Sequence, residues 1–221
     1  MLVVQCDFDD TVSVGNVSVA IREAFDLENW KEMEAEFVSG KYTVEQSNIM
    51  QYGGLRASQN EIEEFVRGDV VVRYAFEEFV AYCQGVGVRL VVVSSGLEFY
   101  VRATLNSLGL DDVEMHAGQT EFTPDGIRVS YDDPDGVPIT SGFKDSYVAH
   151  FKSQGHTVIY VGDGLSDLDA ARFADHVIAR DGLADDMERL GLPYGRFETF
   201  RDVGEHVERV RIELDDRKVR P

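Results

Sequence analysis

The stretch Leu2-Val3-Val4-Gln5-Cys6-Asp7-Phe8-Asp9-Asp10-Thr11 stands at the start of the chain, and its reading decides the rest. Its apolar run reads as a short buried strand that ends on a carboxylate. Residues 88–94, 157–163 and 176–179 repeat the same near-continuous apolar character. Strands without alternation suit a parallel sheet covered on both faces. Helical spacing fills the intervals. It is clearest over residues 74–84, where Phe76, Phe79, Val80 and Cys83 share a face, and it recurs over 97–108, 144–154, 165–173 and 183–190. Strands alternating with helices predict an α/β fold, a doubly wound parallel sheet. Ligands of such a sheet bind beyond the carboxyl ends of its strands.

Two segments break the alternation. Residues 14–72 hold no convincing buried strand and carry amphipathic helical patterns, as over 19–25 and 61–66. They read as a small helical domain, 14–72, inserted after the first strand of a core built from 1–13 and 73–221. Residues 120–130 alternate on both sides of Pro124-Asp125-Gly126, which predicts a β-hairpin. There is no internal repeat. The charged tail from Glu205 is expected to end loosely ordered at Pro221.

Composition narrows the function classes. With 221 residues, 43% of them hydrophobic, the chain can bury one full core and a small second lobe. No run approaches the roughly 20 apolar residues of a membrane span. The N-terminus lacks a basic region ahead of an apolar run, so a cytoplasmic protein is expected. Cys6 and Cys83 have no metal-ligand spacing and read as buried thiols in a reducing compartment. The formal net charge of -20 repels nucleic acid and anionic membranes, so neither is an expected partner. Asp and Glu total 41, while Lys31, Lys41, Lys144, Lys152 and Lys218 are the only lysines. That balance suits a salt-rich cytoplasm, so a halophilic source is expected. An anionic substrate of such a protein must meet local positive charge or a metal.

Four constellations could carry chemistry. Asp7, Asp9 and Asp10 crowd the end of the first strand. Crowded carboxylates repel unless a cation or a proton separates them, and a hard cation such as Mg²⁺ suits oxygen ligands. Taken alone, the cluster also fits a solvated acidic loop. Gly162-Asp163-Gly164-Leu165-Ser166-Asp167 adds two carboxylates at a second strand end; alone it fits a plain strand-turn-helix with an Asp cap. Ser94-Ser95-Gly96 ends a third strand with hydroxyls and backbone N–H groups that could hold phosphate oxygens. Lys144 follows Gly142-Phe143 at a helix start.

In this order, and at these strand ends, the four features resemble the phosphatases of the haloacid dehalogenase superfamily. The helical insertion resembles that superfamily's first type of cap. The resemblance implies roles residue by residue. Asp7 attacks phosphorus and forms an aspartyl-phosphate. Asp9 protonates the leaving alcohol and then activates water. Thr11 helps fix the loop and is grouped with Ser94, Ser95 and Lys144, which hold the phosphoryl oxygens. Asp7, the backbone carbonyl of Asp9, and Asp163 bind Mg²⁺. Asp167 orients the metal's water shell or Lys144. The substrate is then a small phosphate ester, and the protein acts as a monomer or homodimer.

Two subgroups are similar. Phosphoserine phosphatases share the cap type, the hairpin and the motif spacing. They read the serine with an acidic residue after the first motif and an Arg in the cap. Here those places hold Asn16 and Gln51, the candidate substrate contacts of the insertion. The phosphatase of methionine salvage, which takes 2-hydroxy-3-keto-5-methylthiopentenyl 1-phosphate, is similar at Asp7 to Thr11, Phe76 to Val80, Ser94 to Val101, Ala179-Arg180-Asp181 and Leu192-Pro193-Tyr194. The chain departs from it in lacking a cysteine-containing segment ahead of the lysine, and in Ser95 where glycine is usual. Rival readings are a dehalogenase, a phosphotransferase to an acceptor other than water, and a non-catalytic binding protein of the same fold. Asp9 and Asp163 argue against the first, and the complete motif set against the last. Phe25, Trp30 and Phe37 are expected to form the insertion's own small core rather than to line a substrate pocket.

Overall fold

The computed structural model describes residues 1–219. The strands are β1 (Leu2–Cys6), β2 (Arg89–Leu97), β3 (Glu114–Thr123), β4 (Gly126–Asp132), β5 (Pro138–Ile139), β6 (Thr157–Gly162), β7 (His176–Ala179) and β8 (Gly195–Arg196). They form one sheet in the order β5-β4-β3-β2-β1-β6-β7-β8. β1 is paired in parallel with β2 on one side and β6 on the other. All five of its residues are buried, which explains the near-continuous apolar run. The strand order reverses at β1, so its carboxyl end is a topological switch point where a crevice opens.

The helices among the described residues are α1 (Val17–Ala24), α2 (Trp30–Val38), α3 (Val44–Tyr52), α4 (Gln59–Asp69), α5 (Phe76–Val86), α6 (Glu98–Ser107), α7 (Phe143–Ser153), α8 (Leu168–Phe173), α9 (Asp181–Arg189) and α10 (Phe200–Val219). A 3₁₀ turn, Leu165–Asp167, precedes α8. α1 to α4 fill the interval between β1 and α5 and form the helical cap. Thr43 and Ser58 start α3 and α4 with capping boxes, closed by Gln46 and Glu61. The cap leaves and rejoins the core through a short two-stranded neck. Ser13 bridges Val72 antiparallel, and Val14 N–H donates to Val71 O at 2.7 Å. Gly126 packs so close to the cap that a Cβ there would lie 2.1 Å from Gly53 O. No helix among the described residues is long and apolar enough to cross a membrane. Cys6 and Cys83 are buried and free.

The hairpin is larger than the alternating pattern suggests. The first half of β3, from Glu114, pairs in parallel with β2, and the second half pairs antiparallel with β4. Glu114, Met115 and His116 are only half-buried, so this core strand lacks the apolar run that marks the others. α10 runs from Phe200 to Val219, so most of the tail from Glu205 is helical. The expected loose end, at residues 220–221, lies outside the described residues.

Candidate active site

The carboxyl ends of β1, β2 and β6 lie side by side and deliver Asp7, Ser94 and Asp163 to one cleft of about 150 Å³. After β1 the chain coils around one carbonyl: Val12 N–H and Ser13 N–H both donate to Phe8 O, at 2.8 and 3.0 Å. Asp10 takes a left-handed conformation (φ 57°), which a short polar residue tolerates. This turn lets Asp7 and Asp9 face the same cleft. Arg73, just past the neck, clamps the turn from outside. Its Nε donates to Thr11 O at 2.7 Å, and its Nη2 to Asp10 O at 2.5 Å and Ser13 O at 3.2 Å.

Lys144 is the electrostatic hub. Its ammonium lies 2.8 Å from Asp7 Oδ1 and 2.7 Å from Asp167 Oδ1, with all three side chains buried. Burial opposes its charge, but Asp167 and Asp7 outweigh burial and hold its pKa above the ordinary lysine value. Asp167 is wholly buried and fully used. Oδ1 also accepts from Tyr160 at 2.6 Å, and Oδ2 accepts the backbone N–H groups of Asp163 and Gly164, both at 2.9 Å. Burial works to protonate it, yet Lys144 and these donors keep it below the usual carboxylate range. Gly162 leaves room for this carboxylate, because a Cβ there would lie 2.7 Å from Asp167 Cγ.

Asp7 and Asp163 are less well compensated. Burial, followed by the charge of Asp167, raises the Asp7 carboxyl well above its ordinary range. The same two causes push Asp163 up to about 8. Asp163 Oδ1 accepts from Thr11 Oγ1 at 2.7 Å, so the Thr11 hydroxyl grouped above with the phosphate ligands is committed to a carboxylate. Oxygens of Asp7, Asp163 and Asp167 all lie within 4.8 Å of one another. When ionised, three carboxylates against one ammonium leave two uncompensated negative charges, which is the deficit a divalent cation fills.

Asp9 is held apart from that cluster. Its Oδ1 accepts from Val17 N–H at 2.8 Å and Ser18 N–H at 3.3 Å, at the start of α1. Its Oδ2 accepts from Tyr100 at 2.7 Å. Burial raises its pKa against these donors. Gly96 makes room for the pair, since a Cβ there would fall 1.8 Å from the Tyr100 hydroxyl. Between Val93 and Leu97 the β2–β3 register shifts, an irregularity that turns Ser94, Ser95 and Gly96 toward the cleft. Ser94 Oγ accepts from Gly96 N–H at 2.9 Å. Ser95 Oγ is buried with no partner among the described residues, while Ser95 O is pinned by Asn48 Nδ2 (2.8 Å) and Tyr131 (2.6 Å).

The cap candidates separate. Asn16 lines the cleft, but its Oδ1 caps α1 by accepting from Val19 N–H at 2.9 Å. Gln51 is buried behind the cleft and accepts from Arg22 Nη1. Arg22 itself reaches the cleft. The aromatic trio also divides. Phe25 meets Phe65 edge to face in the cap's core, Trp30 lies under the Arg22 guanidinium, and Phe37 lines the cleft. Arg22, Arg73 and Tyr100 were missed in the sequence. The available signal for Tyr100 was its place on the buried face of the helix that follows Ser94-Ser95-Gly96; Arg22 and Arg73 stood in amphipathic or linking segments where a basic residue is ordinary.

The family profile of haloacid dehalogenase-like hydrolases matches residues 4–172. The chain belongs to that family. It is 31% identical over 217 residues to a 2-hydroxy-3-keto-5-methylthiopentenyl-1-phosphate phosphatase of Brevibacillus brevis, covering 96% of this chain and 98% of that one. A protein of the same name from Geobacillus thermodenitrificans is 28% identical and covers 96% of this chain and 97% of its own. Among solved structures, a phosphoserine phosphatase described as a phospho-aspartyl intermediate analogue superposes with TM-score 0.69 at 19% identity. That alignment covers 93% of this chain and 98% of the other. With these relatives, this family member is a phosphomonoester hydrolase.

Proposed function

We propose that the chain is a Mg²⁺-dependent phosphatase that works through an aspartyl-phosphate on a small phosphorylated hydroxyketone, the substrate class named for its curated relatives. The observation that carries this reading is the placement of Asp7 at a strand end, with Oδ1 held by Lys144 and Asp163 alongside. Asp7 and Asp163, with the Asp9 carbonyl, are the ligands the cation would use; Asp167 has no oxygen to spare. When bound, the cation would offset the carboxylates and the phosphoryl oxygens. Asp7 attacks phosphorus as the bond to the leaving alcohol breaks, and Asp9 gives that oxygen its proton. Water then attacks phosphorus, Asp9 takes the water's proton, and the Asp7–phosphorus bond breaks to release inorganic phosphate. Ser94, the unpartnered Ser95 hydroxyl, and Lys144 face the phosphoryl oxygens. A cleft of about 150 Å³ suits a small metabolite rather than a bulky one.

The test is phosphate release from 2-hydroxy-3-keto-5-methylthiopentenyl 1-phosphate and from L-phosphoserine, with Mg²⁺ or with EDTA. Mg²⁺-dependent turnover of the hydroxyketone ester, well above that of phosphoserine, is expected; equal turnover in EDTA would overturn the metal assignment. Running the same assay from low to molar KCl tests the salt-rich origin that the charge of -20 supports.

Tyr100→Phe removes one hydrogen bond from Asp9 and leaves the ring in place. We expect kcat to fall roughly tenfold or more, the worth of one bond to a charged group, with KM nearly unchanged. An unaltered kcat would show that the helix start alone positions Asp9.

Metal-free protein should lose stability as pH rises from about 5 to 8. The Asp163 pKa is raised on folding to about 8, so across that window the folded state binds more protons than the unfolded. Thermal melts should show the decline, and saturating Mg²⁺ should abolish it. An Asp163→Asn variant that keeps the full slope would assign the effect elsewhere.

A further inference from the structure

Arg22 is a guanidinium almost wholly enclosed by the cap, with 4% of its surface exposed, yet it lines the cleft. Three of its five N–H donors are committed. Nε donates to Ser18 O at 3.0 Å, and Nη1 donates to Glu34 Oε2 at 3.2 Å and to Gln51 Oε1. The plane lies over Trp30, 5.6 Å from the ring centroid. Gln51 is itself fixed, donating to Ser47 Oγ at 2.6 Å. Nη2 alone makes no hydrogen bond among the described residues. Two other cleft-lining cap groups are spent: Ser18 Oγ pairs with Tyr52 at 2.8 Å, and Asn48 Nδ2 with Ser95 O and Tyr131.

We propose that Arg22 reads the non-phosphate end of the substrate through Nη2, and that its pairing with Glu34 tunes it to a neutral oxygen, a ketone or hydroxyl, and against a carboxylate. This rests on the phosphatase reading above. Lys144 serves the phosphoryl end, whereas Arg22 stands on a cap helix. Four contacts hold the guanidinium rigid, so little freedom is lost when it donates. Glu34 already balances its charge. A substrate carboxylate would meet Glu34's negative charge beside the cation it seeks, whereas a carbonyl or hydroxyl oxygen takes the donor without that repulsion. Glu34 is a third exposed, so it can be changed without opening the core.

The experiment compares kcat/KM for three esters: 2-hydroxy-3-keto-5-methylthiopentenyl 1-phosphate, L-phosphoserine, and phenyl phosphate, which has no oxygen beyond its phosphate. Arg22→Lys keeps the charge and loses the fork. It should lose roughly thirtyfold more on the hydroxyketone ester than on phenyl phosphate. Glu34→Gln exposes the guanidinium charge and should shift the phosphoserine-to-hydroxyketone ratio about tenfold toward phosphoserine. Equal losses on the hydroxyketone and phenyl esters, or a Glu34→Gln ratio that does not move, would overturn the proposal while leaving the phosphatase intact. If Arg22→Lys fails to fold, the Glu34→Gln ratio decides. Wild type inert on all three esters would sink the phosphatase reading, and this proposal with it.

Discussion

Replacing Asp7 with Asn should reduce turnover on the order of 10⁴-fold or more, because the proposed nucleophile is removed and not merely weakened. The amide nitrogen cannot attack phosphorus, and an amide oxygen is a poor nucleophile. The fold should survive. Asp7 is buried with its pKa raised, chiefly by burial, so its charge is disfavoured in the metal-free fold, and Asn keeps the shape without that charge. Its ladder bond is a backbone one, Asp7 N–H to Val161 O at 2.9 Å, and the substitution keeps it. Melting of the metal-free variant should therefore match or exceed wild type, while the gain in melting temperature on adding Mg²⁺ should shrink. Steady-state kinetics and melts on the same samples check both halves. Retained turnover would remove Asp7 from the mechanism.

Lys144→Met should be the most destabilising change at the site. Wild type places one ammonium between two buried carboxylates at 2.7 and 2.8 Å. The variant leaves Asp167 charged in the interior with only neutral donors, and breaking a buried pair in this way costs about 3–5 kcal/mol. The sign with pH follows from Asp167. Its folded pKa is depressed, so the stability it contributes is present above the unfolded value and fades as pH falls through the folded one. The difference between wild type and Lys144→Met should therefore be largest near neutrality and shrink in acid. Adding Asp167→Asn to Lys144→Met removes the stranded charge and should recover part of the loss. Denaturant melts at pH 7 and in acid measure this, and a Lys144→Met variant as stable as wild type at pH 7 would show that the pair is not stabilising. Activity should vanish in either variant, since phosphoryl oxygens would lose their buried cation.

The features legible in the sequence share one property: each is local. A strand buried on both faces is apolar along most of its length, so β1, β2, β6 and β7 announced themselves. Their carboxyl ends marked Asp7, Ser94 and Asp163. Lys144 at a helix start means little alone and was legible only through its order among the other three constellations. The cap was legible as a long stretch without a strand. β3 was half hidden, because its parallel part is only partly covered and needs no apolar run.

Other features were decided only in three dimensions. Tyr100 meets Asp9 across 91 residues. Arg73 closes on the first-strand turn from beyond the whole cap, 62 residues from Thr11. Arg22 sits on an amphipathic helix, where a basic residue is ordinarily on the solvent side; it turns inward because Gln51 and Glu34 come from other helices to receive it. Periodicity and strand-end chemistry are written along the chain, so the sequence by itself determined the central parallel strands, the helical stretch after β1 and the carboxylates at the strand ends. Which side chains restrain those carboxylates and face the substrate depends on pairings between distant segments, and only the packed fold sets them.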